Sequence, residues 1–258
     1  MIAIRENTLR DAIAEVEEQL RIKGSIVATE SWQGIKPPRD FYEINNIVIS
    51  APMPTDNSLV NLVGQIQPNC PWANIHFDER ISGKPLNPGE SYKHWPFYGR
   101  DNQIRTQAEK FSHTYMERFW PKHAGQTSEV FPNRGIRYDY GDLNSVVELI
   151  KREPHTRQAY LPVFFPEDTG ASHKGRIPCT IGYHFIIRNG RLNLNYHIRS
   201  CDYLRHFRDD IYLAVRLAEW VRTQVSIPEL LLGEFCMFIS NLHIFDIEIG
   251  KLKNHGPK

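Results

Sequence analysis

Long apolar runs are missing from this sequence. No stretch of about 18 consecutive apolar residues occurs, and the first residues do not form a charged-then-apolar leader. Neither a membrane span nor a secretory signal is therefore expected, and the simplest location is the cytoplasm. Cysteine is scarce. Cys70, Cys179, Cys201 and Cys236 form no C-x-x-C pair, which argues against zinc knuckles and dithiol redox motifs, so no metal is expected. An even count does not imply disulfides in a chain without an export signal, and reduced thiols are expected. Neither sign of charge dominates: 31 Lys and Arg face 30 Asp and Glu, for a net charge of +1. No long basic stripe is present, which gives binding to a nucleic-acid polymer little support. Repeats, low-complexity segments and linkers are absent too, so one domain over residues 1–258 is expected.

What is present is enough to build a core, with 41% hydrophobic residues. Leu9, Ile13, Val16 and Leu20 fall on one face of an amphipathic helix. Residues 41–50 read as a strand, 70–83 as a helix stopped by Gly83, and the Pro-, Gly- and aromatic-rich 83–103 as an ordered loop. "DLNSVVELIKREP" reads as a short helix with Leu143, Val146, Val147 and Ile150 buried and Pro154 past its end. Residues 159–165 read as a strand and "PEDTGASHKGRIP" as a connection. Two β-rich runs flank Asn189-Gly190, a strong hairpin signal because both residues tolerate positive φ. "DDIYLAVRLAEWVRTQ" is a long helix and "EFCMFISNLHIFDIEI" a final strand. The pattern predicts an α/β (α+β) domain, a mixed sheet packed by helices.

Cys179 follows Pro178 at the mouth of the hairpin. Most free cysteines are small core hydrophobes. Here Arg176, Arg199 and Arg157 come close if the hairpin and the 159–165 strand share a sheet. Nearby cations lower a thiol pKa and make it nucleophilic, and arginine forks suit phosphate.

The order "P-C", hairpin, "R-S-x-D", helix, "G-E-F" and "L-H-I-F", with "HTRQ" upstream, resembles the thymidylate synthase superfamily. The resemblance covers roughly 140–248 well and the earlier part loosely. It implies a thymidylate synthase-like fold, a homodimer whose sheets pack together, and action on a pyrimidine nucleoside monophosphate with 5,10-methylenetetrahydrofolate. In that frame Cys179 takes the place of the nucleophile, and Arg199 and Ser200 match the phosphate-binding Arg-Ser. Arg157 matches the arginine that reaches the neighbouring subunit's phosphate. Asp202 matches the aspartate whose backbone faces the pyrimidine, and His243 the histidine near the sugar hydroxyl. Tyr115 resembles the active-site tyrosine. Counting back from it puts Glu79 at the proton-handling glutamate, with Glu90 as rival. A carboxyl group in an apolar pocket has its pKa raised and can shuttle protons. Each residue also has a plainer reading: Arg157 as a helix C-terminal cation, Glu79 as a solvated helix residue, Tyr115 and His243 as satisfied polar core groups.

The sequence departs from the synthases at several positions. Asp210, in "FRDDIY", stands where they carry Asn, a change similar to that in phage deoxycytidylate hydroxymethylases, whose "F-R-N-D" resembles it. A carboxylate accepts from the cytosine amino group, and a shared proton reaches the ring nitrogen, so dCMP is the favoured substrate. The competing role is helix capping, which fits Asp209 better than Asp210. Thr180 replaces a usual His, Phe245 a Tyr, and Gln158 a second Arg. The tail that closes over folate in the synthases is not seen after "GKLKNHGPK", which favours water capture and a hydroxymethyl product; the 84–100 loop with Trp95 is a candidate substitute lid. The expected activity is dCMP 5-hydroxymethylation, in a bacterium or, for a phage protein, its host. Alternatives are a dCMP methyltransferase, a CMP hydroxymethylase, a dUMP (hydroxy)methylase, and a nucleotide-binding relative without catalysis.

Overall fold

The computed structural model describes residues 1–28, 39–55, 58–97, 110–121, 141–169 and 176–253. Parts of two expected segments, 98–103 of the loop and 170–175 of the connection before Cys179, lie outside the described residues.

The strands are β1 (Ile2–Arg5), β2 (Ser25–Val27), β3 (Phe41–Pro52), β4 (Tyr160–Pro162), β5 (Thr180–Arg188), β6 (Arg191–Ile198), β7 (Cys201–Asp202) and β8 (Leu231–Phe245). They form one sheet in the order β1-β3-β8-β6-β5-β4, with β2 beside β3 and β7 beside β8. β1 with β3 and β6 with β8 are parallel, while β3 with β8, β5 with β6 and β4 with β5 are antiparallel. This is the mixed sheet the sequence predicts. The β5–β6 turn uses Asn189 at φ 51° and Gly190 at φ 67°, the left-handed pair the dipeptide signalled.

Among the described residues the α-helices are α1 (Leu9–Lys23), α2 (Leu59–Ile66), α3 (Trp72–Arg80), α4 (Tyr115–Phe119), α5 (Leu143–Arg152) and α6 (Arg208–Val225). Thr8 caps α1 by accepting from the Asp11 amide, and the expected stripe of Leu9, Ile13, Val16 and Leu20 is buried. Asp142 and Ser145 form a reciprocal capping box on α5, whose buried face is the expected one. α6 packs on β6 and β8. Leu192, Leu194, Tyr196 and Ile198 of β6 and Phe235, Met237 and Ile239 of β8 point into that core, each such side chain contributing roughly 1.5–3 kcal/mol by leaving water. The alternate residues, among them His184, Asn195, His197 and Phe238, form a less buried opposite face.

Two features place the site. First, β5 carries a bulge: Thr180 pairs with Ile198 but Gly182 with His197, so Ile181 is an extra residue. In a regular strand Thr180 and Tyr183 would point to opposite faces; with the bulge both are buried on the same face. Second, α6 is not capped by Asp209 as expected. Tyr203–Phe207 form a π-turn that runs directly into the helix, and the cap falls to Asp202, whose carboxylate accepts from the Leu204 and Arg205 amides. The 159–165 strand is also shorter than expected, because the Val163 and Phe164 amides leave the ladder and both donate to the Ile181 carbonyl.

Candidate active site

Cys179 is half-buried just ahead of β5. Its carbonyl accepts from the Arg199 amide at 2.9 Å. The Arg199 guanidinium turns the same way, donating from Nε to the Pro178 carbonyl at 2.8 Å and from Nη2 to that of Ile177 at 3.0 Å. Arg199 thus braces the segment that delivers the thiol. At the other three thiols burial disfavours the thiolate, pushing Cys70 up, Cys236 up to about 11, and Cys201 well above its ordinary value.

Behind Cys179 lies a buried polar cluster. The Tyr115 hydroxyl is 3.1 Å from Thr180 Oγ1, which is 2.8 Å from the Tyr196 hydroxyl. Tyr183 stacks on Tyr196 at 4.7 Å between ring centroids. Burial pushes the Tyr115 phenol well up, and Cys179 and Asp210 add to the effect, which puts all three in one electrostatic neighbourhood. Asp210, in the first turn of α6, accepts from the Cys201 thiol at 3.7 Å. Burial pushes its carboxyl up to about 7; Arg80 opposes this, Asp209 adds to it, and Cys201 and Tyr196 oppose it. Such a group is neutral or ionised with nearly equal ease at physiological pH. Asp209 points elsewhere and accepts from the Asn69 amide and side chain at 2.7 and 2.8 Å.

The raised carboxyl expected of Glu79 is found at Asp210 instead. Burial raises Glu79, but His76, 3.9 Å away, and the hydrogen bonds from Ser91 outweigh it and leave the group below its ordinary value. The Ser91 amide donates to Glu79 Oε1 at 3.1 Å and the Ser91 hydroxyl to Oε2. Gly89 allows this, because a Cβ there would fall 2.2 Å from Glu79 Oε2. Glu90, the rival, is exposed and pairs with Lys93 at 2.6 Å. Trp95, expected in a covering loop, is buried and stacked on His206 at 5.3 Å between ring centroids.

Arg80 was not foreseen. It is 4% exposed, its Cζ lies 4.1 Å from the Tyr115 ring centroid, and its buried Nε has no hydrogen-bond partner. The signal was available: Trp72, Ala73, His76, Phe77 and Arg80 recur at helical spacing on the buried stripe of α3.

The remaining predicted residues divide into two groups. Asp202 and His243 are register partners across β7 and β8. Burial pushes Asp202 up to about 6 against the pull of Arg205. His243 Nδ1 donates to Asn241 Oδ1 at 2.8 Å, and the ring stacks on Phe41 at 4.5 Å between centroids. Burial pushes it down to about 4, with Arg205 and Arg199 assisting, so it is neutral at pH 7. Arg199 therefore links the Cys179 half to the His243 half, and Ser200 follows it, half-buried. Arg176 and Arg199 also both act on buried His113, whose pKa burial pushes well down, so this side of the cluster is cation-rich. Arg157 is not brought to Cys179 within the chain. It is exposed, and its carbonyl is 3.0 Å from His184 Nε2, on the open sheet face.

A half-buried thiol heading a strand of a mixed α/β sheet, between arginines and a carboxyl group held near neutrality, defines a thiol-centred polar site. Residues 93–256, more than half of the sequence, match thymidylate synthase, and the chain belongs to that family. A putative thymidylate synthase of Methanocaldococcus jannaschii is 23% identical over 137 residues, covering 50% of this chain and 60% of that protein. The thermostable thymidylate synthase A from Bacillus subtilis has the same fold, with a TM-score of 0.64 over 95% of this chain and 83% of its own at 15% identity. Among the described residues no helix is long and apolar enough to cross a membrane.

Proposed function

We propose that the protein transfers a one-carbon unit from 5,10-methylenetetrahydrofolate to carbon 5 of dCMP, giving 5-hydroxymethyl-dCMP, as a homodimer. The observation that carries the choice of base is Asp210, a carboxyl group near neutrality in the electrostatic neighbourhood of Tyr115. Carbon 5 of a pyrimidine is a poor nucleophile. Addition of the Cys179 thiolate to carbon 6 makes carbon 5 the nucleophilic end of an enamine, which would attack the one-carbon unit. Loss of the carbon-5 proton and departure of tetrahydrofolate would leave an exocyclic methylene, and water adds there as the carbon 6–sulfur bond breaks, restoring the thiolate. Ionised Asp210 accepts from the cytosine amino group; neutral Asp210 donates to ring nitrogen 3 and activates carbon 6. Facing uracil, a carboxylate meets the 4-oxo oxygen, and an unpaired buried acceptor costs roughly 1–3 kcal/mol. That is about tenfold to a hundredfold in rate.

Arg199, Ser200, the Asp202 backbone and His243 are assigned to phosphate, base and sugar, and Arg157 to the phosphate of the neighbouring subunit. The folate supplies the one-carbon unit. The Tyr115 face, backed by the partnerless Arg80 Nε, suits an acceptor-bearing planar ring. The half-exposed sheet face bearing Phe238, Tyr160 and Ile181 supports packing of two sheets in a dimer.

Tritium release from carbon-5-labelled dCMP, CMP and dUMP, with and without the folate, tests this. Fastest folate-dependent release from dCMP, accompanied by tetrahydrofolate, is the expected result. Preference for dUMP overturns the assignment to Asp210, and dihydrofolate formed at the turnover rate replaces hydroxymethylation with methylation.

A further inference from the structure

Glu43 and Asn45 are two residues apart on β3, as Asn241 and His243 are on β8, so each pair shares a face of its strand. The antiparallel register sets Glu43 opposite His243 and Asn45 opposite Asn241, which brings all four into one patch. Hydrogen bonds run around three sides of it. Asn45 Nδ2 donates to Glu43 Oε1 at 3.2 Å, Asn241 Nδ2 to Asn45 Oδ1 at 2.9 Å, and His243 Nδ1 to Asn241 Oδ1 at 2.8 Å. His243 itself is 6% exposed, and its Nε2 has no hydrogen-bond partner among the described residues.

The direction of this chain is dictated from one end. A carboxylate accepts and cannot donate. Asn45 therefore gives Glu43 its amide nitrogen, which leaves its oxygen for Asn241. Asn241 gives its nitrogen in turn, which leaves its oxygen for the imidazole. That oxygen only accepts, so the ring carries its proton on Nδ1, and neutral His243 offers Nε2 as an acceptor. Phe41, stacked on the ring at 4.5 Å between centroids, holds its plane.

We propose that Glu43, acting through Asn45 and Asn241, is a positioning residue that fixes the tautomer of His243 and so presents Nε2 as an acceptor to a hydroxyl-bearing ligand. That the hydroxyl belongs to the nucleotide sugar rests on the assignment of His243 made above; the tautomer does not. An acceptor at this point selects chemically. It takes a hydrogen from a hydroxyl and refuses an ether or carbonyl oxygen, which has none to give. In the opposite tautomer Nε2 carries the proton and that selection is lost. Glu43→Gln permits the opposite tautomer, because an amide there donates to Asn45 Oδ1 and every link reverses.

Nitrogen-15 labelling of histidine reports the tautomer in the free full-length protein at pH 7, where His243 is neutral, and needs no turnover. The His243 signals are identified by their loss in His243→Gln. In wild type they should be those of the Nδ1–H form. Glu43→Gln keeps size and frees the direction; Asn45→Ala cuts the chain and leaves the Glu43 charge in place. Both should move the signals toward the Nε2–H form, while Asn241→Asp, which keeps an acceptor against Nδ1, should not. Binding of dCMP, measured by calorimetry, should weaken about two- to tenfold in Glu43→Gln and Asn45→Ala. An Nε2–H signature in wild type overturns the proposal, as does a signature unchanged in Glu43→Gln. A shift in Glu43→Gln without one in Asn45→Ala means that the charge acts directly across the strands, which removes the chain. If the tautomer moves as expected while dCMP binding does not change, the chain stands and the assignment of His243 to the sugar falls. If wild type does not bind dCMP at all, the proposed substrate is wrong and the tautomer alone decides.

Discussion

The guanidinium of Arg80 lies over the face of Tyr115, 4.1 Å from its ring centroid, and the same charge holds down the Asp210 carboxyl against the effect of burial. One cation from α3 thereby sets both a phenol and a carboxyl that belong to different elements. Arg80→Met removes that charge, so the Asp210 pKa rises above its value of about 7. Activity that needs neutral Asp210 then persists to higher pH. The pH profile of carbon-5 exchange checks this; an unmoved alkaline limb contradicts it.

Asp210→Asn is expected to stabilise the protein in a pH-dependent way. A carboxyl at about 7 when folded and 3.8 when unfolded binds more protons in the folded state between those values. Stability attributable to it is therefore lost as pH rises from about 4 to 7. At 1.36 kcal/mol per pH unit the loss approaches about 4 kcal/mol above pH 7 as an upper bound. Denaturant unfolding should show the variant more stable than wild type at pH 8 and nearly equal at pH 4.

Cys179→Ala should abolish carbon-5 exchange and leave nucleotide binding, measured by calorimetry, within a few-fold. Ser replacements of exposed Cys70 and of Cys236 should retain activity. Normal exchange in Cys179→Ala would remove the thiol mechanism altogether.

Arg118 and Asp168 form a buried two-pronged pair, with Nη1 and Nη2 donating at 2.9 and 2.8 Å. Asp168→Ala leaves a buried charge without its partner and should cost about 3–5 kcal/mol. The double variant Arg118→Met/Asp168→Leu should be less destabilised than the single one in the same unfolding assay. A loss below about 1 kcal/mol in Asp168→Ala would mean that water reaches the pair.

Arg157 is exposed on the side of the open sheet face, so its assigned role requires a second copy of the chain. Mixing inactive Arg157→Ala and Cys179→Ala proteins should recover part of the activity, because one site of the hybrid carries both wild-type residues. A fully active monomer in sedimentation equilibrium excludes this arrangement.

The parts of the fold legible in the sequence were those fixed by local periodicity or turn chemistry. The stripe on α1, the capped α5 and the Asn189-Gly190 turn all fall where pattern places them. β1 and β2 escaped notice because four and three residues carry too little pattern, and β1 is fixed only by its parallel pairing with distant β3. The five-residue α4 depends on its Thr114–Glu117 capping box, a T-x-x-E pattern the sequence displays but which was passed over, and on the Arg118–Asp168 pair, which is not visible without the third dimension. Within the site, Asp210 stood out as a departure from the synthases, but its company did not. Arg80 reads as an ordinary helix-end cation until the buried stripe of α3 is followed to its last residue. Glu79 was assigned by counting, and counting cannot register that Ser91 and His76 lower its pKa. Asp209 looked like a cap because nothing local announces that the π-turn before it leaves no helix start to cap.

The short segment 163–168 works as a caliper. At one end, the Val163 and Phe164 amides grip the Ile181 carbonyl and fix where the bulge of β5 sits. At the other, Asp168 grips Arg118 on the helix that begins with Tyr115. The jaws hold Thr180 and Tyr115, and the opening between their hydroxyls is 3.1 Å. A change within this segment need not touch the thiol to be felt beside it; it resets a gap in which a few tenths of an ångström decide whether the Tyr115–Thr180 hydrogen bond holds. Tolerance to substitution should therefore be low here in assays of rate as well as, at buried Val163, Phe165 and Asp168, in assays of folding.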